Sequence, residues 1–311
     1  MSKTETLKVR LFSSSLYNRV SIRLSRLERK SFAFILLLLL PLIYLIILYA
    51  LPVLVLISRS LFLYDPKTHA TGQFTFQNYR KFLSDPAYLR VLWTSLRIGL
   101  LVTLFDLVIG YPVAYWLARL TGVRKQILLA IIVSPMLVSI VIRTFSWAVL
   151  LRSSGPMNQL LMAIGLIHQP LRILYTEAGV IVAMVHVYLP FMIIPLSTVI
   201  DSIDLTLEEA ASSLGANGLR KFIEVILPLS IPGVVAGCML VLTISVSAYV
   251  TPAMLSGERF LLMPTLVAQQ MQVILDWSFG SAIAVVLIVV VMTIVGLFSW
   301  LTGRSAKYRN I

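Results

Sequence analysis

Glu208–Gly233 reads EEAASSLGANGLRKFIEVILPLSIPG, and the reading of this stretch decides the fold. Five acids and bases, Glu208, Glu209, Arg220, Lys221 and Glu224, stand together between two strongly apolar runs. A charged island between two runs that each suit lipid is a water-exposed excursion between membrane spans. The composition around it agrees. Of the 311 residues, 59% are hydrophobic and 13% charged, whereas a soluble domain carries about 25% charged residues. The net charge of +13 would suggest nucleic acid in a soluble protein. Here the bases cluster at the ends of apolar runs, where they set topology, so no nucleic-acid partner is expected.

A spanning helix needs about 20 mostly apolar residues. Six stretches qualify: 32–58, 91–118, 126–151, 178–200, 231–252 and 281–303. The expected class is all-α, a polytopic membrane helix bundle with six transmembrane helices. Pro41, Pro52, Pro112, Pro135, Pro190 and Pro195 fall inside these runs. A bundle can re-satisfy the carbonyls they free, so they mark bends. The chain then divides into a cytoplasmic basic N-terminal segment (1–31), a six-span domain (32–303) with a long inner loop at 201–230, and a cytoplasmic tail (304–311). Leu16, Val20, Leu24 and Leu27 line one helical face before the first span, with Arg19, Arg23, Arg26 and Lys30 on a neighbouring face. That pattern suits an amphipathic helix lying on the lipids of the cytoplasmic leaflet; a disordered basic tail is the alternative. A cleavable signal peptide is not expected, because the first apolar run starts only near Ser31 and is too long. With the N-terminus inside, 16 of the 26 lysines and arginines fall in inner segments and 8 in outer loops. This bias puts both termini, and 201–230, in the cytoplasm.

The outer loops carry turn signals at Asp65-Pro66, Asp85-Pro86 and Ser154-Gly155-Pro156, and 264–280 reads as a short outer helix or a re-entrant piece. There is no Walker A sequence, so the chain holds no ATP through a P-loop. No HExxH, GxSxG or paired-cysteine motif occurs either. No residue is nominated as catalytic, and no enzyme is expected. The lone Cys238 makes no disulfide within the chain and no metal site.

Within the opening stretch, Leu205 to Gly215 is rich in helix formers. Thr206 with Glu209 three residues later fits a capping box. Gly215 fits the left-handed position that closes a helix, and Asn217-Gly218 continues the turn. A second short helix is expected from about Leu219 to Val225, with Pro228 bending the chain into the next span. Two short angled helices presenting the small Ala210 and Ala211 make a compact docking element; an ordinary connector is the alternative.

The spacing carries a resemblance. Glu209-Ala210-Ala211, Gly215 three residues on, and Val225-x-Leu227-Pro228 after nine more resemble the EAA motif of binding-protein-dependent ABC importer permeases, with Val225 in place of isoleucine. Gly110-Tyr111-Pro112, Ile142-Arg143-Thr144-Phe145-Ser146-Trp147, Leu189-Pro190-Phe191-Met192 and Asp276-Trp277-x-Phe279-Gly280 are similar to segments of the spermidine/putrescine-type members. The resemblance implies a type I importer permease fold in a bacterial inner membrane. It gives Glu208, Glu209, Ala210, Ala211 and Gly215 an ATPase-coupling role, with Leu227 and Pro228 fixing the exit into the span. It implies as partners two ATP-binding subunits that hold ATP and Mg²⁺, a second permease subunit (a distinct homologue, or a copy of this chain), and a periplasmic or lipid-anchored solute-binding protein. The implied cargo is a polyamine or related organic cation, with an amino-acid-like compound, an opine or an inorganic ion as the other solutes such permeases move. This chain itself binds no cofactor on that reading.

The polar residues within the spans are candidates for the substrate path. Asp106, midway along the second span, either offers a carboxylate to a cationic substrate or holds neighbouring helices together. Arg143 would repel a cation; a structural or gating role suits it better, bonded to carbonyls or to a partner-subunit carboxylate. Arg97 can snorkel to the interface. Trp147 lies in the same span as Arg143. His186, near Tyr188, is either a neutral hydrogen-bonding group or a proton relay. Ser245 and Tyr249, four apart, share a helical face and either line the path, where an aromatic suits an amine, or simply pack. A stand-alone proton-coupled secondary transporter using Asp106 or His186 is the competing class.

Overall fold

A computed structural model of the chain describes residues 38–39, 41–64, 71–257 and 259–307. The basic segment 1–31 and the end of the tail at 308–311 lie outside the described residues. The chain falls into two units, Met1–Ser58 and Arg59–Ile311. The first contributes most of helix α1 (Pro41–Ser60), which is long and apolar enough to cross a membrane.

The second unit opens with a feature the sequence reading missed. Strands β1 (Phe62–Tyr64) and β2 (Thr71–Phe74) pair antiparallel, Phe62 opposite Phe74. Asn78 on α2 (Gln77–Ser84) holds the ribbon: its Nδ2 donates to the carbonyls of Ser60 and Phe62, both at 2.9 Å. Helix α3 (Pro86–Arg119) starts cleanly, with Pro86 in its first turn and the Asp85 carboxylate accepting from the Ala87 N–H at 2.8 Å. Proline suits that position because its missing N–H would have no helical partner there.

The third span is two helices. After α4 (Gly122–Val133) comes a 3₁₀ turn (Ser134–Leu137), then extended backbone at Val138, then α5 (Ile140–Leu150), and the two halves meet at 92°. The expected bend at Pro135 is therefore a full break. The loop beyond it contains α6 (Pro156–Ala163) and is tied by the buried Asn158, which bonds the carbonyls of Arg152 and Leu171 and the N–H of Leu171. Helix α7 (Glu177–Asp201) runs through both Pro190 and Pro195 without interruption. After α8 (Leu205–Ser213) the chain enters α9 (Gly218–Val246). Short helices α10 (Val250–Leu255) and α11 (Met263–Ala268) lead to α12 (Trp277–Lys307). A π turn, Gln269–Val273, follows α11, which fills out the expected short piece at 264–280.

Helices α3, α7 and α9 form the core. Ile98, Val102, Met184, Val187, Met192 and Val241 are buried together. A second cluster, around Tyr111, Ala114, Ile193, Leu196 and Ile200, continues it toward the 201–230 end. Close approach is needed at Gly237, where a Cβ would stand 2.6 Å from the Met192 sulfur. Small residues of this kind let membrane helices pack backbone to backbone. At the opposite end, Phe82, Met263, Phe279 and Ile283 bury against one another, fastening α2, α11 and α12. Among the described residues five helices are long enough to span, or six with the bent α4–α5 pair.

Candidate functional site: the braced helix pair at 201–230

The segment between α7 and α9 begins with a cap at Asp204, whose carboxylate accepts from the Thr206 N–H at 2.9 Å. The capping pair expected at Thr206 and Glu209 is thus replaced by an aspartate two residues earlier, which reaches the free N–H groups of the first turn directly. These bonds from Thr206 hold the Asp204 carboxyl below its usual range. At the far end Gly215 has φ +83°. The Gly215 N–H bonds the Ser212 carbonyl and the Ala216 N–H bonds the Ala211 carbonyl, both at 3.0 Å. This is a Schellman closure, and it requires a residue that tolerates the left-handed region. Asn217 Oδ1 then accepts from the Arg220 N–H at 2.8 Å and starts α9.

The second short helix expected at Leu219–Val225 is not separate. It is the first part of α9, and a π turn at Phe222–Ile226 joins it to the span. Pro228 does not bend the chain away. It sits in the first turn after the π segment, where the missing N–H is tolerated. The π turn packs on α3: the Phe222 ring meets Tyr111 edge-on at 5.2 Å. The Tyr111 hydroxyl lies 2.6 Å from Ser230 Oγ.

The whole segment is braced by a residue first read only as a topology charge. Arg119, at the end of α3, pairs through Nη2 with Glu208 Oε1. Its Nη1 donates to the carbonyls of Ile200 at 3.3 Å and Ile203 at 3.4 Å. One guanidinium therefore grips the end of α7, the turn after it, and α8. Glu208 also accepts from the Tyr115 hydroxyl at 3.1 Å, with Lys221 Nζ at 3.9 Å. Its carboxylate is buried, and charge-assisted bonds of this kind are the strong ones. A further pair, Lys125 to Asp201 at 2.8 Å, joins α4 to α7. The outer side of the same helix is open. Leu205, Leu207 and Leu214 are exposed, Leu214 at 89%, and so are Glu209 and Ala210, while Ala211 is half-buried. Leu227 is partly buried, packed beside Ile200.

The residues proposed for a path converge only in part. Asp106 is fully buried on α3 and neither oxygen has a hydrogen-bond partner among the described residues. Trp147 Nε1 donates to His186 Nδ1 at 3.2 Å, so a neutral His186 carries its proton on Nε2. Arg143, Tyr188 and Tyr249 line one cavity of about 350 Å³ beside the α4–α5 break. Ser245 and Tyr249 do not share a helical face, because α9 ends at Val246; Ser245 is buried, and Tyr249 precedes α10 and is exposed. Arg97 does more than snorkel, since it pairs with Glu177 at the start of α7.

A polytopic helical bundle with a braced helix pair between two spans suits the class of membrane subunits that work with another component. The chain matches the family described as binding-protein-dependent transport system inner membrane component over residues 31–302, and it belongs to that family. It is 36% identical over 254 residues to the spermidine/putrescine transport system permease protein PotB of Escherichia coli strain K12, covering 82% of this chain and 92% of the relative. It is 34% identical over 244 residues to PotB of Haemophilus influenzae, covering 78% and 85%. A bacterial ABC transporter involved in importing the acidic polysaccharide alginate has the same fold, with a TM-score of 0.71 at 18% identity over 91% of this chain and 99% of that one. The chain is thus a multi-pass inner-membrane permease of an ABC importer, helical as the composition implied, and not an enzyme.

Proposed function

We propose that this permease carries a polyamine such as spermidine or putrescine, or a related organic cation, inward, and that 201–230 receives the thrust of an ATP-binding subunit. The observation that supports the second half is the two-sidedness of α8. Glu208 fixes its inner side to α3 through Arg119, while Glu209, Ala210 and Leu214 are exposed on its outer side. A helix fastened on one side and open on the other transmits a push to the bundle without detaching from it. On this reading Glu208 is the internal anchor. Glu209, Ala210 and Ala211 meet the partner, Gly215 sets the angle of the pair, and Leu227 and Pro228 seat α9 after its π turn.

The remaining assembly follows from the same reading: two ATP-binding subunits holding ATP and Mg²⁺, a second permease, and a solute-binding protein docking at the ribbon end. Both termini and 201–230 face the cytoplasm, in keeping with the basic inner segments. Support for the cargo comes from the relatives named as spermidine/putrescine permeases, which this chain covers over most of their length. The test is uptake of labelled putrescine and spermidine by the assembled importer in proteoliposomes. Uptake that requires ATP and the binding protein, and that fails in Glu209→Lys, is the expected result. Uptake without any ATP-binding subunit overturns the coupling assignment, and transport of some other solute with neither amine moved overturns the cargo.

A further inference from the structure

The α4–α5 break holds a charge that no acceptor among the described residues answers at two of its nitrogens. Arg143 stands one turn into α5, and its Nε and Nη1 are buried with no hydrogen-bond partner among the described residues. Its side chain borders the 350 Å³ cavity, together with Ile140, Tyr188, Phe191, Ile244 and Tyr249. Ser247, which lines the same cavity, donates its Oγ–H to the Thr243 carbonyl at 2.6 Å and makes no bond to Nε or Nη1 of Arg143. Asp106 does not supply the counter-charge, because both its oxygens lack partners too. The Trp147–His186 pair beside it offers no acceptor, since His186 Nδ1 is taken by the Trp147 N–H. Two guanidinium nitrogens removed from water without acceptors are costly, and such groups persist where a carboxylate or other acceptor completes them. Around the break, Leu137, Val141, Ile142 and Phe145 are exposed. An apolar surface of this kind suits lipid chains or another helix, but lipid chains carry no acceptor for Arg143.

We propose that Arg143 receives a carboxylate from the second permease subunit, an aspartate or glutamate side chain that enters the cavity beside the break and forms an ion pair across the interface. The inference rests on the reading that a second permease is present. A polyamine cargo cannot be the mate, being itself cationic. Planar bidentate pairing is what a guanidinium does with a carboxylate, and Tyr188 and Tyr249 line the cavity such a side chain would enter.

The test uses the assembled importer. Recovery of a second permease with the wild-type chain examines the assembly reading on its own. In that complex Arg143→Glu should reduce ATP-dependent uptake more than tenfold. Exchanging one acidic residue in the spans of the second permease for arginine should then restore it to within threefold. Arg143→Lys, which keeps the charge, should retain more uptake than Arg143→Gln. If no acid-to-arginine exchange restores Arg143→Glu, or if Arg143→Gln assembles and transports like the wild type, the proposal is overturned. It is also overturned if Arg143→Gln mainly changes the preference between putrescine and its carboxylated counterpart ornithine, which assigns the guanidinium to a cargo carboxylate instead.

Discussion

Arg119 and Arg143 are both cations on helices of the bundle, and their surroundings are opposite. Arg119 bonds a carboxylate and two carbonyls at and just after the end of α7 through Nη1 and Nη2, leaving only its Nε without a partner among the described residues, so α3 is tied to the 201–230 segment. Arg143 has two buried nitrogens without acceptors among the described residues, and in the assembly proposed above a second subunit completes them. The comparison separates two uses of a charge in a membrane protein. One fastens elements of a single chain. The other waits at a surface, and its presence costs the isolated chain stability.

Substitutions at and around the two arginines test this difference. Arg119→Ala leaves the buried Glu208 with only the Tyr115 hydroxyl and the more distant Lys221, a change worth at most about 3–5 kcal/mol; a large drop in the melting temperature and abolished uptake are expected, and an unchanged melt removes Arg119 from its bracing role. Gly215→Val forces a branched residue to φ +83° with open space around it, so the cost is conformational, about 1–2 kcal/mol. It should lower uptake per ATP hydrolysed while the melting of the spans stays put. Arg220→Ala removes an exposed i,i+4 pair with Glu224 and should cost only about 0.3–0.5 kcal/mol, within error of the wild-type melt. The Asp204 cap gives a pH dependence of definite sign. Its folded carboxyl titrates below the ordinary value of 3.8, so its contribution is complete above that value and lost as the pH falls through the lower folded one. Protection of the first-turn amides of α8, measured as exchange relative to the intrinsic rate, should therefore be constant near neutrality and fall only in acid. Finally, Arg143→Met should cost the chain no stability of its own, in direct contrast to Arg119→Ala; a clear loss in the melt means that Arg143 is paired within the chain.

Much of this architecture was legible because apolar runs and charge placement are long, repetitive signals. The spans at α3, α7 and α12 fall where hydropathy puts them, and the EAA spacing marks 201–230. What escaped notice depends on single side chains or on tertiary contact. The ribbon at Phe62–Tyr64 and Thr71–Phe74 is only three and four residues long, and Asn78 helps to fix it from the next helix. The right-angled break at α4–α5 leaves only a proline in the sequence, the same sign that Pro190 and Pro195 leave in an unbroken α7. Arg119 looked like one more inner-loop base, because nothing local says that its guanidinium reaches two carbonyls more than eighty residues away.

The π turn at Phe222–Ile226 separates two registers of one helix. A π turn inserts one residue, so the faces of α9 on either side of it are offset by about 100°. The side that Gly218–Lys221 presents toward α8 is therefore not the side that Ser230 and Gly233 present within the bundle, and Tyr111 packs against Phe222 where the register changes. On the coupling proposed above, a push on 201–230 reaches the span across that change of register.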